Sequence, residues 1–141
     1  MFGPHLMLDC YGCNENKLKD LDFALKFLDD LSDLIGMHKI SKPHAINYPG
    51  NPNSFDKGGI SAFVIIAESH ISIHTFPSHK YMSVDIFSCK EFDIEKATGF
   101  IINSFEAKKF EKKLLNRGSE FPKEIPKALR IVERQREKLI K

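Results

Sequence analysis

Six residues capable of chemistry crowd into 29 positions of this chain, Ser61 to Cys89 (SAFVIIAESHISIHTFPSHKYMSVDIFSC). Ser61, Glu68-Ser69-His70, His74 and Cys89 offer nucleophiles, a carboxylate, bases and a thiol. A metal site fails on spacing. His70 and His74 lie four apart, and on a strand that separates them by about 13 Å at ~3.3 Å per residue, too far for bonds of about 2 Å to one zinc. Cys10-Tyr11-Gly12-Cys13 is a CxxC, but no second CxxC accompanies it, so no metal is expected. A hydrolase of the nucleophile-elbow type needs Gly-x-Ser-x-Gly, and Ser69 is flanked by Ala67-Glu68 and His70-Ile71. Gly58-Gly59 precedes a strand rather than opening a helix, so it is no phosphate cradle. Taken singly, Ser69 reads as a turn residue, His74 as a polar sheet residue and Cys89 as a small buried hydrophobe. Their concentration is what calls for a further explanation.

These residues must be held by strands. Ser61–Ala67 is a short apolar run rich in β-branched residues, and Ile71–Phe76 and Tyr81–Phe87 alternate with period two. Pro4–Tyr11 reads as a first strand. A helix capped by Asn14 or Asn16 is expected to run to about Ile35, with Leu18, Leu21, Leu25, Leu28, Leu31 and Ile35 as its buried stripe. His38–Ile46 reads as a second strand that Pro43 confines to an edge or a bulge. Asn47–Gly59 (NYPGNPNSFDKGG) is a long turn-rich loop of the kind that usually serves function. Asp93 caps a helix to about Phe105, Ala107–Leu115 is a last strand, Gly118–Ile125 a loop, and Lys127–Lys141 a charged helix held by Ala128, Ile131 and Leu139 or used as an interaction arm. The expected fold class is α+β: a mainly antiparallel sheet with helices on one face, a two-layer protomer. Its other face needs a cover, and dimerisation into an αββα sandwich would supply one.

Size and composition fit one domain. The chain has 141 residues, 42% of them hydrophobic and 28% charged. A formal net charge of +2 is too small to point to nucleic acid or a membrane surface. No apolar run approaches the roughly 18 residues of a spanning helix, and MFGPHLMLDC carries no basic n-region followed by an apolar h-region. Three cysteines suit a reducing compartment, so a cytoplasmic location is expected.

The run Ala67-Glu68-Ser69-His70-Ile71-Ser72-Ile73-His74-Thr75-Phe76-Pro77, followed by Tyr81, Val84-Asp85 and Phe87-Ser88-Cys89, resembles the signature of prokaryotic S-adenosylmethionine decarboxylases. These are pyruvoyl-dependent enzymes of polyamine (spermidine) synthesis, made as proenzymes that cut themselves. The resemblance implies cleavage between Glu68 and Ser69 into a β chain, 1–68, and an α chain, 69–141. Ser69 would become the pyruvoyl group that holds substrate as a Schiff base, Glu68 would supply the cleaved carbonyl, Ser61 would polarise it, His74 would be the processing base and Cys89 the proton donor. An ordinary thiol still carries its proton at neutral pH. Ser69 and His74 are an odd offset apart, so on one flat strand they face opposite ways. Their cooperation then needs a bulge at Glu68–His70, or an approach to the Ser69 Cα rather than to its side chain.

The resemblance is weaker around the substrate. Asp56-Lys57-Gly58-Gly59-Ile60-Ser61 replaces a run ending Gly-Val-Ser-Gly, Phe76 stands for a tryptophan and Lys90 for a glycine. An adenosyl sulfonium needs an aromatic surface, which Tyr48, Phe55 or Phe76 could provide. L-arginine or L-ornithine would instead need a carboxylate such as Asp56 for the distal cation. The expected partner is a small amino-acid-like molecule, the expected assembly a homodimer of processed protomers. The competing reading is a non-catalytic ligand-binding or assembly domain that has lost the cut.

Overall fold

In a computed structural model the chain is described over residues 3–118, together with Glu120 and Arg134; apart from Arg134 the expected charged helix at 127–141, and most of the loop before it, lie outside the described residues. Among the described residues, seven strands and three helices follow one another as β1 (Gly3–Tyr11), α1 (Glu15–Leu18), α2 (Leu21–Leu34), β2 (His38–Lys39), β3 (His44–Tyr48), β4 (Gly59–Ala67), β5 (Ser69–Phe76), β6 (Tyr81–Ser88), α3 (Ile94–Phe105) and β7 (Lys109–Arg117), with a 3-10 turn at Pro77–His79. The strands form one sheet in the order β2-β4-β5-β6-β1-β7, with β3 pairing β4 beyond β2 on the same edge. Every pairing is antiparallel. The expected class, α+β with helices on one face, is what the structure has.

Alternation on the central strands builds the core. Leu6, Leu8 and Cys10 of β1, Ile60, Ala62, Val64 and Ile66 of β4, Ile71 and Ile73 of β5, and Met82, Val84 and Ile86 of β6 all turn to the helical side and are buried. Helices α2 and α3 cover them and are knitted together by aromatic rings. Phe27 stacks on Phe100 at 5.6 Å between centroids and meets Phe105 edge-on at 4.9 Å.

Two expectations need correction. The helix expected from Asn14 to Ile35 is broken at Lys19-Asp20. Asn14 caps α1 by accepting from the Lys17 N–H, and the Asp20 carboxylate then caps α2 by accepting from the Phe23 N–H. Of the expected stripe Leu18, Leu28, Leu31 and Ile35 are buried, while Leu21 and Leu25 lie on its flank and Ala24, Phe27 and Ser32 complete the buried side of α2. The strand expected at His38–Ile46 is likewise two short edge strands. The Ile40 N–H still donates to the Ile65 carbonyl of β4 at 3.0 Å, but Pro43 has no N–H to offer, and the ladder resumes only at His44.

Burial holds the Cys10 thiol, with Cys13 and Asp9 beside it, up at about 12, and desolvation holds Cys13 up at about 11, both from an ordinary 9.0. Unfolding returns both to the ordinary value, so above pH 9.0 the unfolded chain is the one that releases protons. Stability is therefore expected to be undiminished by these groups below that pH and to fall as pH rises towards 12. Urea-unfolding midpoints across that range should fall less steeply for Cys10→Ala than for the unchanged protein.

Candidate active site

Strands β4 and β5 are joined by the shortest ordinary hairpin connection. Ile66 pairs with Ser69, leaving Ala67-Glu68 as a two-residue loop, whose internal peptide is cis. Ser69 has φ of 123°, a backbone region in which side chains are crowded and which glycine otherwise occupies. On its other side Ser69 pairs with Ser88, the last residue of β6. This brings the start of the next turn against the hairpin tip. The Cys89 backbone N–H donates to the Glu68 carbonyl at 3.1 Å. Cys89 Sγ lies 3.6 Å from Ser69 Oγ. A carbonyl polarised by an N–H, a hydroxyl on the following residue and a thiol beside it thus occupy one point at the rim of the sheet.

Ser61 and His74 form a second cluster. They face each other across β4 and β5 on the sheet face away from the helices, and Ser61 Oγ and His74 Nδ1 are 2.9 Å apart. A buried threonine fixes this end of the hairpin. Thr75 Oγ1 accepts from the Ile60 N–H at 2.8 Å and donates to the Leu18 carbonyl at 2.7 Å, tying both strands to α1. Gly59 (φ 154°) makes the close approach possible, since a Cβ there would sit 1.8 Å from the Thr75 carbonyl oxygen. Ser61 and His74 line a recess of about 130 Å³ with Tyr48, Asp56 and Phe76. The Asp56 carboxylate also accepts from the Gly58 N–H at 2.9 Å, so the long loop folds its acid back towards the strand.

The residues singled out from sequence therefore fall into two groups. Glu68, Ser69 and Cys89 meet at one end of the sheet; Ser61, His74, Tyr48, Asp56 and Phe76 meet at the other. Phe55 joins neither: its side chain is 73% exposed, and its carbonyl accepts from His79 Nε2 at 2.7 Å. Strand β5 runs without a bulge from Ser69 to Phe76, so Ser69 and His74 keep opposite faces. Five residues of strand put them about 16 Å apart, and seven put Ser61 about 23 Å from Glu68, at ~3.3 Å per residue. Sequence reasoning missed Thr75, the Cys89 N–H and Ser88. For Ser88 a signal existed, since it falls in phase with buried Met82, Val84 and Ile86. Among the described residues, no three His, Cys, Asp or Glu side chains converge as a metal site, and no helix is long and apolar enough to cross a membrane.

Residues 4–118 match the family model described as S-adenosylmethionine decarboxylase. The chain belongs to that family. The S-adenosylmethionine decarboxylase proenzyme of Clostridium botulinum (strain Loch Maree / Type A3) is 33% identical over 117 residues, covering 82% of this chain and 94% of that one. Its counterpart in Thermodesulfovibrio yellowstonii is 37% identical over 107 residues, 75% of this chain and 73% of its own. The crystal structure of the adenosylmethionine decarboxylase from Aquifex aeolicus VF5 aligns with a TM-score of 0.71 at 28% identity, over 87% of this chain and 95% of that chain. Glu68 and Ser69 of one cluster and Ser61, His74 and Phe76 of the other belong to the hairpin β4–β5, which the family model spans in full.

Two glycines separate the geometry of the recess from general stability. Gly59→Ala drives a Cβ into backbone and is expected to destabilise the chain by more than about 2 kcal/mol. Gly99→Ala, inside α3 with nothing within 4 Å of the new Cβ, is expected to stabilise it by about 0.5–1 kcal/mol. Urea unfolding of the two variants checks both signs.

Proposed function

We propose that this chain is a self-processing, pyruvoyl-dependent decarboxylase that acts on S-adenosylmethionine and yields decarboxylated S-adenosylmethionine for polyamine synthesis. The observation that carries the reading is the Glu68 carbonyl, held at 3.1 Å by the Cys89 N–H with the Ser69 hydroxyl on the next residue. In the proposed cut, Ser69 Oγ adds to the Glu68 carbonyl carbon and the Glu68–Ser69 C–N bond breaks, leaving an ester and a free amine on residue 69. Negative charge develops on the carbonyl oxygen during the addition, where the Cys89 N–H already points. A base removes the Ser69 Cα proton, and the Glu68 carboxylate leaves with the C–O bond. The resulting dehydroalanine takes up water and releases ammonia, which leaves the pyruvoyl group.

The residues around Ser69 fit that group: a hydroxyl at the chain position that becomes the new N-terminus, and a thiol 3.6 Å from it. The pyruvoyl carbonyl supplies the electron sink for loss of carbon dioxide. The Cys89 thiol is then the proton donor to the substrate carbon, and Tyr48 and Phe76 offer rings to an adenine in the recess. The family match favours the adenosyl substrate over L-arginine or L-ornithine.

The geometry of the two clusters supports a homodimer. His74 and Ser61 cannot reach Ser69 or Glu68 of their own chain at about 16 and 23 Å along regular strands. A second copy packed on the open sheet face, with a two-fold axis near Ser72, reverses the strand direction and places the partner's Ser61–His74 end over the Ser69 end. That face carries exposed apolar side chains suited to burial, among them Ile46, Phe63, Ile65 and Leu115. In this assembly His74 is the processing base and Ser61 the second polarising group, each serving the other protomer.

Intact mass tests the cut: the purified protein should show chains 1–68 and 69–141, and Ser69→Ala should remain whole. A single uncut species in the unchanged protein would falsify the reading. Co-expression tests the sharing. Ser69→Ala and His74→Ala are each expected to stay uncut alone, whereas together the His74→Ala chain should be cut, because its Ser69 meets the other chain's His74. If the mixture stays uncut while the unchanged protein is processed, each chain serves itself.

A further inference from the structure

Ser88 occupies a position where the packing has no need of a polar atom. It continues the buried row Met82, Val84, Ile86 on the helical face of β6 and is itself fully buried. A buried hydroxyl is costly unless it is bonded, and this one makes two contacts. It accepts from the Lys90 N–H at 3.1 Å and donates to Met37 Sδ at 3.6 Å. The first contact closes a side-chain turn over Cys89, of the kind in which a serine holds the backbone two residues on. The second pins that turn to the segment following α2, which Lys90 also grips by donating from Nζ to the Gly36 carbonyl at 3.1 Å. The residue enclosed by the turn is the one whose N–H meets the Glu68 carbonyl. Ser88 is also the direct antiparallel partner of Ser69.

We propose that Ser88 is a positioning residue for self-cleavage: its hydroxyl fixes the turn at 88–90 so that the Cys89 N–H is aimed at the Glu68 carbonyl when Ser69 Oγ adds to it. The proposal rests on the processing reading given above and extends it to a residue that touches none of the reacting atoms. An alanine at 88 leaves the strand and core in place but frees the Lys90 N–H. The Cys89 N–H then loses its fixed direction, and charge on the attacked oxygen is less well met. Ser88→Thr keeps the oxygen.

The test is a time course of cleavage, read as intact mass on freshly purified full-length chain, with thermal midpoints measured on matching variants that also carry Ser69→Ala and stay uncut. Ser88→Ala is expected to slow cleavage about fivefold, the loss of one ordinary hydrogen bond, and Ser88→Thr to restore it. Ser88→Cys fills the same space with a weak acceptor; it is expected to follow Ser88→Ala and serves in its place if the alanine variant does not fold. A role in packing alone predicts a lowered thermal midpoint with an unchanged cleavage rate, and that result overturns the proposal. So does slow cleavage that Ser88→Thr fails to restore. An unchanged protein that stays whole removes the processing reading and this one together, whereas normal cleavage in folded Ser88→Ala removes this one alone.

Discussion

The Glu68 carbonyl accepts a hydrogen bond from the Cys89 N–H at 3.1 Å, and that contact joins two parts of the chain twenty-one residues apart. It forms because Ser69 and Ser88 are paired in adjacent strands, so the loop before one and the turn after the other must meet. Register therefore controls the contact. A one-residue slip of β6 against β5 would turn every side chain of β6 to the wrong face and bury Asp85 and Ser83 among the helices. The buried row of Ile71, Ile73, Val84 and Ile86 opposes that slip, so the hydrophobic core is what holds the Cys89 N–H at the Glu68 carbonyl.

The same alternation divides the sheet into two surfaces with separate duties. The helical face is filled with aliphatic side chains and closed by α2 and α3. The open face carries the Ser61–His74 pair and further polar contacts such as Tyr81 to Asp9 at 2.7 Å and His5 to Asp85 at 3.1 Å. Burial and the neighbouring Asp9 carboxylate hold the Tyr81 hydroxyl protonated well above its usual range, so it is available there as a donor. Apolar side chains exposed beside these polar pairs make the face suited to a wet, specific contact rather than to open solvent.

Much of the scaffold was legible in the chain. Period-two runs marked β4, β5 and β6, Asp93 marked the start of α3, and richness in Asn, Pro and Gly marked the loop before β4. The break at Asp20 was not legible as a break, because Leu18 and Leu21 stay in a helical rhythm and the competing cap is a single carboxylate. The offset between Ser69 and His74 was readable as opposite faces. That the strand stays regular between them is a property of its pairing on both sides.

The sequence by itself determined which face of each strand the candidate residues take, because side-chain parity is local and follows the backbone pleat. It also determined that Glu68 and Ser69 share a junction. Only the tertiary structure decided which of those residues meet. Pairing of β4, β5 and β6 set Cys89 beside Ser69 and Ser61 beside His74, and it held the two pairs at opposite ends of the hairpin. Those contacts depend on strand register across long stretches of chain, which is fixed by the joint packing of the core rather than by any segment alone.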